Sequence, residues 1–524
     1  MHEIEIILGL FVLVAALSFV AARLSVPYPI ILVLGGLGVS FIPGLPSLSL
    51  DPSYVFVLFL PPILFQAALQ TSWRDFRANV RPIGLLAIGL VLFTTLLTAA
   101  IAHMFLGMSW SAGFVLGAII SPPDAVAATA IMQRLRIPKR IVTILEGESL
   151  VNDATALVAF SFATAAVVHG STMLEFAAPK FIAVAAGGVA IGLLAGVVIA
   201  WVRPRLRDEG VESIVSLMTP YAAYLPAEWC HVSGVLAVVA CGMFLSRKLP
   251  TIVDSRTRLR LYHVWDTIIF LLNALVFMLI GLQLPGIMKN IDVPMTRLIG
   301  YGVLVSVTAI AARMLWVFLA TYLPRLIFPF IRRRDPVPVF GHVFLVAWTG
   351  MRGIVSLAAA LSLPLTVASG SPFPHRDMIA FLAFSVILAT LVVQGFTLGP
   401  LIRFLKLRVD HTEDREEALA RYESAHAALA RLEALVVIDD IDRSLVDHVR
   451  VPYDERIASL TRERGVVIRK DLPADARKIA DLRREAMAAE RRMLIKLRDD
   501  GAIADDVLRR VQEDLDLEES KWRD

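Results

Sequence analysis

The sequence predicts an all-α membrane protein in which thirteen transmembrane helices form two inverted six-helix repeats with broken crossover helices, followed by a soluble helical C-terminal tail. Three observations predict it. Of the 524 residues, 57% are hydrophobic and only 19% charged, too few polar groups to cover a water-soluble chain of this length. Apolar runs of about 20 residues recur from Ile4 to the neighbourhood of Arg403 and then stop, each long enough to cross a hydrocarbon core about 30 Å thick at about 1.5 Å per residue. Basic residues gather in every second loop between those runs, as they do in a chain that crosses a bilayer repeatedly.

The runs start near Ile4, Pro29, Pro52, Pro82, Trp110, Ile141, Pro179, Val211, Val232, Tyr262, Arg297, Phe340 and Asp377. The first carries Glu3 and Glu5 where a signal peptide would be basic, and no small-residue cleavage pattern follows, so it reads as a retained span. Up to Ile402 the chain has 26 Lys and Arg; with the N-terminus outside, 20 of them fall in alternate loops, around Arg23 and within 74–81, 134–140, 203–207, 247–260 and 325–334. That bias puts the N-terminus outside and the C-terminus in the cytoplasm. It also tests the count, since one missed span would reverse every later loop.

Spans one to six and eight to thirteen are equal sets, and the odd seventh makes the second set enter from the opposite face, the mark of an inverted repeat. The fifth span of each set is interrupted, by Ser121-Pro122-Pro123-Asp124 in the first and by Thr349-Gly350-Met351-Arg352-Gly353 in the second. Prolines remove amide donors and glycines weaken helices, so both segments are expected to unwind near the bilayer centre. Bare backbone at that depth has to line a cavity or be buried in protein. A pair of ordinary kinks is the alternative.

Charge excludes some partners. The chain up to Ile402 has 26 basic and 18 acidic residues, and the remainder 25 and 29. The positive charge is spread over short loops and makes no single face, so nucleic acid is not an expected partner. Cys230 and Cys241 define neither a disulfide framework nor a zinc site. No phosphate-binding GxxxxGK[ST] loop and no HExxH pair is present, and no cofactor is expected.

Span six reads LEGESLVND over 145–153 and then runs apolar, which puts Asp153 near the span centre. A carboxylate there costs about 2.5 to 3.5 kcal/mol, so it should face the protein interior and serve an ion or a structural partner. At about 100° per residue, Ser149 and Asp153 share a face one turn apart, Asn152 borders it, and Glu148 points about 100° away from Ser149. The Asp153 face offers a carboxylate, an amide carbonyl and a hydroxyl, hard oxygen donors suited to a small cation. A neutral hydrogen-bonded cluster is the other reading. Glu146, seven residues before Asp153, lies about 20° off the same face and about 10 Å nearer the basic loop. It is expected either to line a cytoplasmic funnel that concentrates cations or to pair at the interface with Lys139 or Arg140.

The run GESLVNDA at 147–154 resembles the Asn-Asp motif of the NhaP/NHE-type sodium/proton antiporters. FLPPILF at 59–65, PDAVA at 123–127, FLLNALVF at 270–277, IGLQL at 280–284 and GMRG at 350–353 resemble the family in the same order. The resemblance covers 1–403 and implies a transmembrane antiporter domain there, with 404–524 left as a cytoplasmic tail. It implies a homodimer in the bilayer of a bacterial inner membrane, in which a mobile core carries ions by alternating access. It implies that Asp153 binds cation or proton, with Asn152 its neighbour, Ser149 a further oxygen ligand, and Asp124 the aspartate of the first crossover. Glu148 corresponds to a glutamate paired with an arginine of span eleven, here Arg313. Asp124 and Arg352 take matching places in the two broken spans, where they can answer exposed amide and carbonyl ends.

Two departures weaken the carry-over. Many relatives have an acidic residue near the end of span three, where this chain has Phe65-Gln66, and some have a threonine where it has Pro123. The function implied is secondary exchange of Na⁺, with K⁺ or Li⁺ open, for H⁺, in the service of pH homeostasis. Asn152 stands where an electrogenic relative has a second aspartate, which implies one-for-one electroneutral exchange. Two rivals remain: a passive cation channel, and an intramembrane hydrolase using Asp124 and Asp153 as a dyad. The tail, with helix-period stretches at 415–437 and 475–497, reads as a regulatory or dimer-contact element or as a solvated appendage without a ligand, its partner unknown.

Overall fold

The computed structural model describes residues 2–24, 26–41, 55–126, 128–129, 132, 137–170, 177–206, 208–288, 291, 293–407, 412–438, 443–461 and 476–520. Among these residues helices dominate and no β-strand occurs, only an isolated bridge between Thr366 and Pro372. The apolar runs form α1 (His2–Leu24), α2 (Tyr28–Ser40), α3 (Leu60–Gln70), α4 (Val80–Leu106), α5 (Trp110–Ile120) and α6 (Lys139–His169). They continue as α7 (Ala177–Val202), α8 (Glu209–Trp229), α9 (Gly234–Ile252), α10 (Ser255–Leu282), α11 (Met295–Ile327), α12 (Phe340–Trp348), α13 (Ile354–Leu361) and α14 (Arg376–Leu405). Among the described residues seven helices are long and apolar enough to cross a membrane. The start of the third expected span, at Pro52, lies outside the described residues.

Local chemistry sets the helix ends. Ser109, Asp208 and Ser233 open α5, α8 and α9 by accepting the amide N–H groups of Ala112 (3.3 Å), Val211 (2.8 Å) and Leu236 (3.2 Å), which satisfies donors that no helix can pair internally. Packing then uses small residues. Gly36 of α2 and Gly281 of α10 lie so close that a Cβ on either would meet the other helix's backbone, at Met278 O and Val33 O respectively. Such close approach maximises van der Waals contact where lipid offers no hydrophobic driving force. It also sets Tyr28 against Phe270, ring centroids 5.5 Å apart.

Both interrupted spans are unwound where the sequence has its breakers. After α5, residues 121–125 are non-helical and helix resumes at Val126; between α12 and α13, residues 349–353 are non-helical. The two bare segments meet: the Asp124 N–H donates to Met351 O at 2.7 Å.

The tail folds as α15 (Thr412–Ile438), α16 (Arg443–Thr461), α17 (Ala476–Asp499) and α18 (Asp505–Ser520). The expected stretch at 475–497 begins one residue outside the described part, and its remainder lies on α17. Leu432, Val449 and Leu482 centre one apolar cluster of the tail, and Leu494, Val507 and Val511 centre another. The tail is no free appendage. Arg258 at the start of α10 and Asp516 of α18 form a buried pair with contacts of 2.5 and 2.6 Å.

Candidate functional site

A cavity of about 340 Å³ opens beside the crossover, and its wall is drawn from six parts of the chain. Tyr28 comes from α2, Gln66 and Gln70 from α3, Asp124 from the first unwound segment, Glu146, Ser149 and Asp153 from α6, Asp266 and Asn273 from α10, and Ser356 from α13. Asp153 is 8% exposed. The helical phase that puts Ser149 and Asp153 on one face of α6 thus turns both to the same space, and Glu146 joins them two turns nearer the α6 N-terminus. Lys139 contacts Asp75 and Asp506, and Arg140 contacts Asn79 and Asp335. Glu146 is a cavity residue.

The other face of α6 serves a different purpose. The Glu148 carboxylate accepts two hydrogen bonds from the Arg313 guanidinium, at 2.5 and 2.9 Å, and both side chains are almost fully buried. Arg313 also donates through Nε to Val346 O at 3.2 Å. A bidentate pair of this kind satisfies directional donors and acceptors that the low-dielectric interior would otherwise leave costly.

Arg352 is fully buried and caps exposed carbonyls, as its place in the broken span suggests. Its Nε donates to Ile120 O, the last carbonyl of α5, at 3.0 Å, and its Nη1 donates to Gly350 O. A cation at a helix C-terminus answers the negative end of the dipole. Its backbone N–H donates to Thr390 Oγ1 at 3.1 Å, in a π-helical turn of α14.

Asp124 complements it at the amide ends. Its Oδ1 accepts the Val126 N–H at 2.9 Å, and its carboxylate lies against Gly353, the residue that precedes α13. A Cβ at position 353 would collide with that carboxylate, so only glycine permits this approach.

Ser149 and Asn152 fasten the unwound strand to α6. Ser149 Oγ accepts the Ala125 N–H at 3.3 Å, and Asn152 Nδ2 donates to Pro123 O at 2.8 Å. Asp124, Ser149 and Asp153 therefore share the cavity, whereas Asn152 is completely buried behind it. The Pro123 carbonyl, the one oxygen left at that position when threonine is absent, is engaged by Asn152. Gln66 lines the cavity from α3, offering an amide where many relatives have an acid.

The sequence reading did not single out Asp266, Tyr28 or Ser356. Asp266 has a detectable signal: it stands seven residues before Asn273 on α10, the spacing that separates Glu146 from Asp153 on α6. Both acids lie about 10 Å from their deeper partners along helices that begin at the tail-docking end. The side-chain oxygens facing the cavity belong to carboxylates, amides and hydroxyls, and among the described residues no three His, Cys, Asp or Glu side chains gather as a metal cluster.

Comparison with known proteins agrees with this architecture. The family model described as "Sodium/hydrogen exchanger, transmembrane" matches residues 9–404. A protein of Mycobacterium tuberculosis named as an uncharacterized Na⁺/H⁺ exchanger is 35% identical over 533 residues, covering 100% of this chain and 98% of that protein. The sodium, potassium, lithium and rubidium/H⁺ antiporter of Bacillus subtilis is 35% identical over 408 residues, covering 75% of this chain and 60% of that one. The structure of a sodium proton antiporter from Methanocaldococcus jannaschii superposes with a TM-score of 0.63 at 22% identity, covering 77% of this chain and 99% of that one, a likeness of fold. With its apolar helices, crossed unwound segments and match over most of its length, this chain is a multi-pass membrane protein that belongs to the sodium/hydrogen exchanger family.

Proposed function

We propose that the protein is a secondary antiporter that exchanges Na⁺ for H⁺ across the membrane, with Asp153 as the site where cation and proton compete. One observation carries the reading: the buried arginines of the crossover are answered within the protein, Arg313 by Glu148 and Arg352 by backbone carbonyls. Asp153 and Asp124 instead face the cavity. Two carboxylates on one small space repel each other, and either a cation or a proton relieves that repulsion. Ser149, and Asp124 as a second carboxylate, supply oxygen donors of the type a dehydrated monovalent cation requires. Asn152 acts through the Pro123 carbonyl, holding the strand that carries Asp124.

Exchange is one-for-one, a reading supported by Asn152, which stands beside Asp153 where an electrogenic relative has a second aspartate. Alternating access moves the site between the two faces while the chain, as a homodimer, keeps thirteen crossings, the N-terminus outside and the tail in the cytoplasm. Residues 1–403 form the transporting domain and 404–524 the cytoplasmic tail. The Bacillus subtilis relative's name extends the candidate cations to K⁺, Li⁺ and Rb⁺.

The test is proton flux in everted vesicles with Na⁺, K⁺ and Li⁺ added in turn, for wild type and Asp153→Asn. The amide keeps shape and hydrogen bonding, so the variant should remain folded and lose exchange. Near wild-type flux from the variant would remove Asp153 from the site. Cation movement that a proton gradient never drives uphill would make the protein a channel.

A further inference from the structure

The helix α18 spans the end of the bundle at which the cavity walls begin. On one side it is fixed to the wall made by α3, α9 and α10. Arg509 donates to the carbonyls of Leu69 (2.9 Å) and Gln70, and Gln70 itself lines the cavity. Gln512 reaches Pro250 O at 3.5 Å, and Asp516 holds Arg258 through two hydrogen bonds with both side chains buried. On the other side Asp506 accepts a 2.6 Å hydrogen bond from Lys139, the first residue of α6, which carries Glu146 and Asp153. At the tail-docking end the two sides lie in different packing groups: Leu64, Phe65, Val238 and Trp265 of α3, α9 and α10 share one apolar cluster, while Ile141 and Leu145 of α6 join α4 and α5 in another. Deeper in the bundle the groups interlock, with Leu150 and Ala154 of α6 in the first and Ala274, Phe277 and Met278 of α10 in the second.

We propose that α18 is a clasp across the cytoplasmic mouth of the exchange site, permanently seated on the α3–α9–α10 wall and released from α6 at Lys139–Asp506 in each transport cycle. The inference rests on the exchange reading above, because only a cycle that shifts α6 against α3 and α10 would work the clasp. The asymmetry of the two attachments decides where it opens. Separating Asp516 from Arg258 would strand two buried charges. Separating Asp506 from Lys139 would not: both side chains are a fifth to a quarter exposed, at 25% and 21%, and Lys139 already has Asp75 as a second acceptor at 3.2 Å. Release there exposes ions to water that is already close, and a closure step of this kind commonly limits turnover.

The experiment uses the full chain in vesicles with Cys230→Ser and Cys241→Ala as background. Lys139→Cys and Asp506→Cys are introduced together and bridged with a short bis-thiosulfonate reagent that reductant removes. Bridging should abolish cation-driven proton flux, and reductant should restore it, while the reagent should cause no loss of flux in either single cysteine variant. Separately, Asp506→Asn should raise maximal turnover about two- to fivefold at unchanged apparent KM, a split that a merely structural contact would not produce. Full exchange in the bridged protein, or an Asp506→Asn turnover equal to or below wild type, overturns the clasp. Absence of cation-dependent flux in the unmodified chain would instead overturn the exchange reading on which it rests.

Discussion

Neutralising Glu148 as Glu148→Gln leaves the side chain's shape intact and removes the charge that answers Arg313. The magnitude follows from burial. Arg313 and Glu148 side chains are 0% and 1% exposed, and their two contacts are 2.5 and 2.9 Å long. If only a hydrogen bond were weakened, the loss would be about 0.5–1.5 kcal/mol. A guanidinium left with Val346 O and a neutral amide is a stranded charge, for which the loss is about 3–5 kcal/mol. The second effect dominates, so the apparent unfolding temperature of the purified protein in detergent should fall by about 3–5 °C. Arg313→Met should do similar harm alone. The double variant should be less destabilised than the two singles added together, because the second change removes the charge that the first one strands. Melting curves of wild type, both singles and the double provide the assay. Strict additivity, or single variants that melt with wild type, would refute the idea that this pair holds α6 to α11.

Three further outcomes are expected. Glu146→Gln should raise the apparent KM for cation, more at low than at high ionic strength, and leave maximal turnover near wild type, because a funnel charge acts on local concentration and is screened by salt; an unchanged KM at low salt would reduce Glu146 to an interfacial group. Gly353→Ala should lower turnover about tenfold or more through displacement of the Asp124 carboxylate that its methyl group meets, and wild-type flux would show that the position of Asp124 does not matter. In the tail, burial, only partly offset by Arg456, pushes the Glu490 carboxyl from its ordinary 4.5 up to about 7, with Tyr453 and Glu518 as its other neighbours. A raised carboxyl favours the folded tail when protonated, so stability is lost as pH rises from the unfolded value through the folded one. Hydrogen exchange in α16 and α17 of the intact protein should report a loss of about 1 kcal/mol between pH 6 and pH 8, and Glu490→Gln should flatten it.

What could be read from the sequence is whatever leaves a local trace. The unwound segments declared themselves because Pro122-Pro123 and Gly350 with Gly353 interrupt otherwise apolar spans, and the chain is bare at 121–125 and 349–353. Glu148 was separable from Asp153 by helical phase, since five residues turn it to another face. Asn152 shows the limit of the same method. Phase puts it at the border of the ion face, and only the fold reveals that its amide turns back to Pro123 O. Asp266 is exposed and reads as an ordinary acid near a helix start; its value comes from the cavity that α3, α6 and α10 enclose together. The docking of the tail joins Arg258 to Asp516 across more than 250 residues, and no periodicity in either helix announces it.

In the proposed exchange, a change of occupancy at Asp153 need not disturb the crossover. The unwound strand from Pro123 to Val126 is held from within the protein at the Pro123 carbonyl and at the amide N–H groups of residues 124 to 126. Asn152 holds the Pro123 carbonyl, Met351 O accepts the Asp124 N–H, Ser149 accepts the Ala125 N–H, and Asp124 accepts the Val126 N–H. Ser149 and Asn152 lie one turn and one residue before Asp153 on the same helix. Asp153 is therefore held in fixed register with the strand that carries Asp124. On the exchange proposed above, occupancy would change the charge of the site without changing that attachment, and the cost of carrying an empty, doubly charged cavity across the bilayer would couple the two ions.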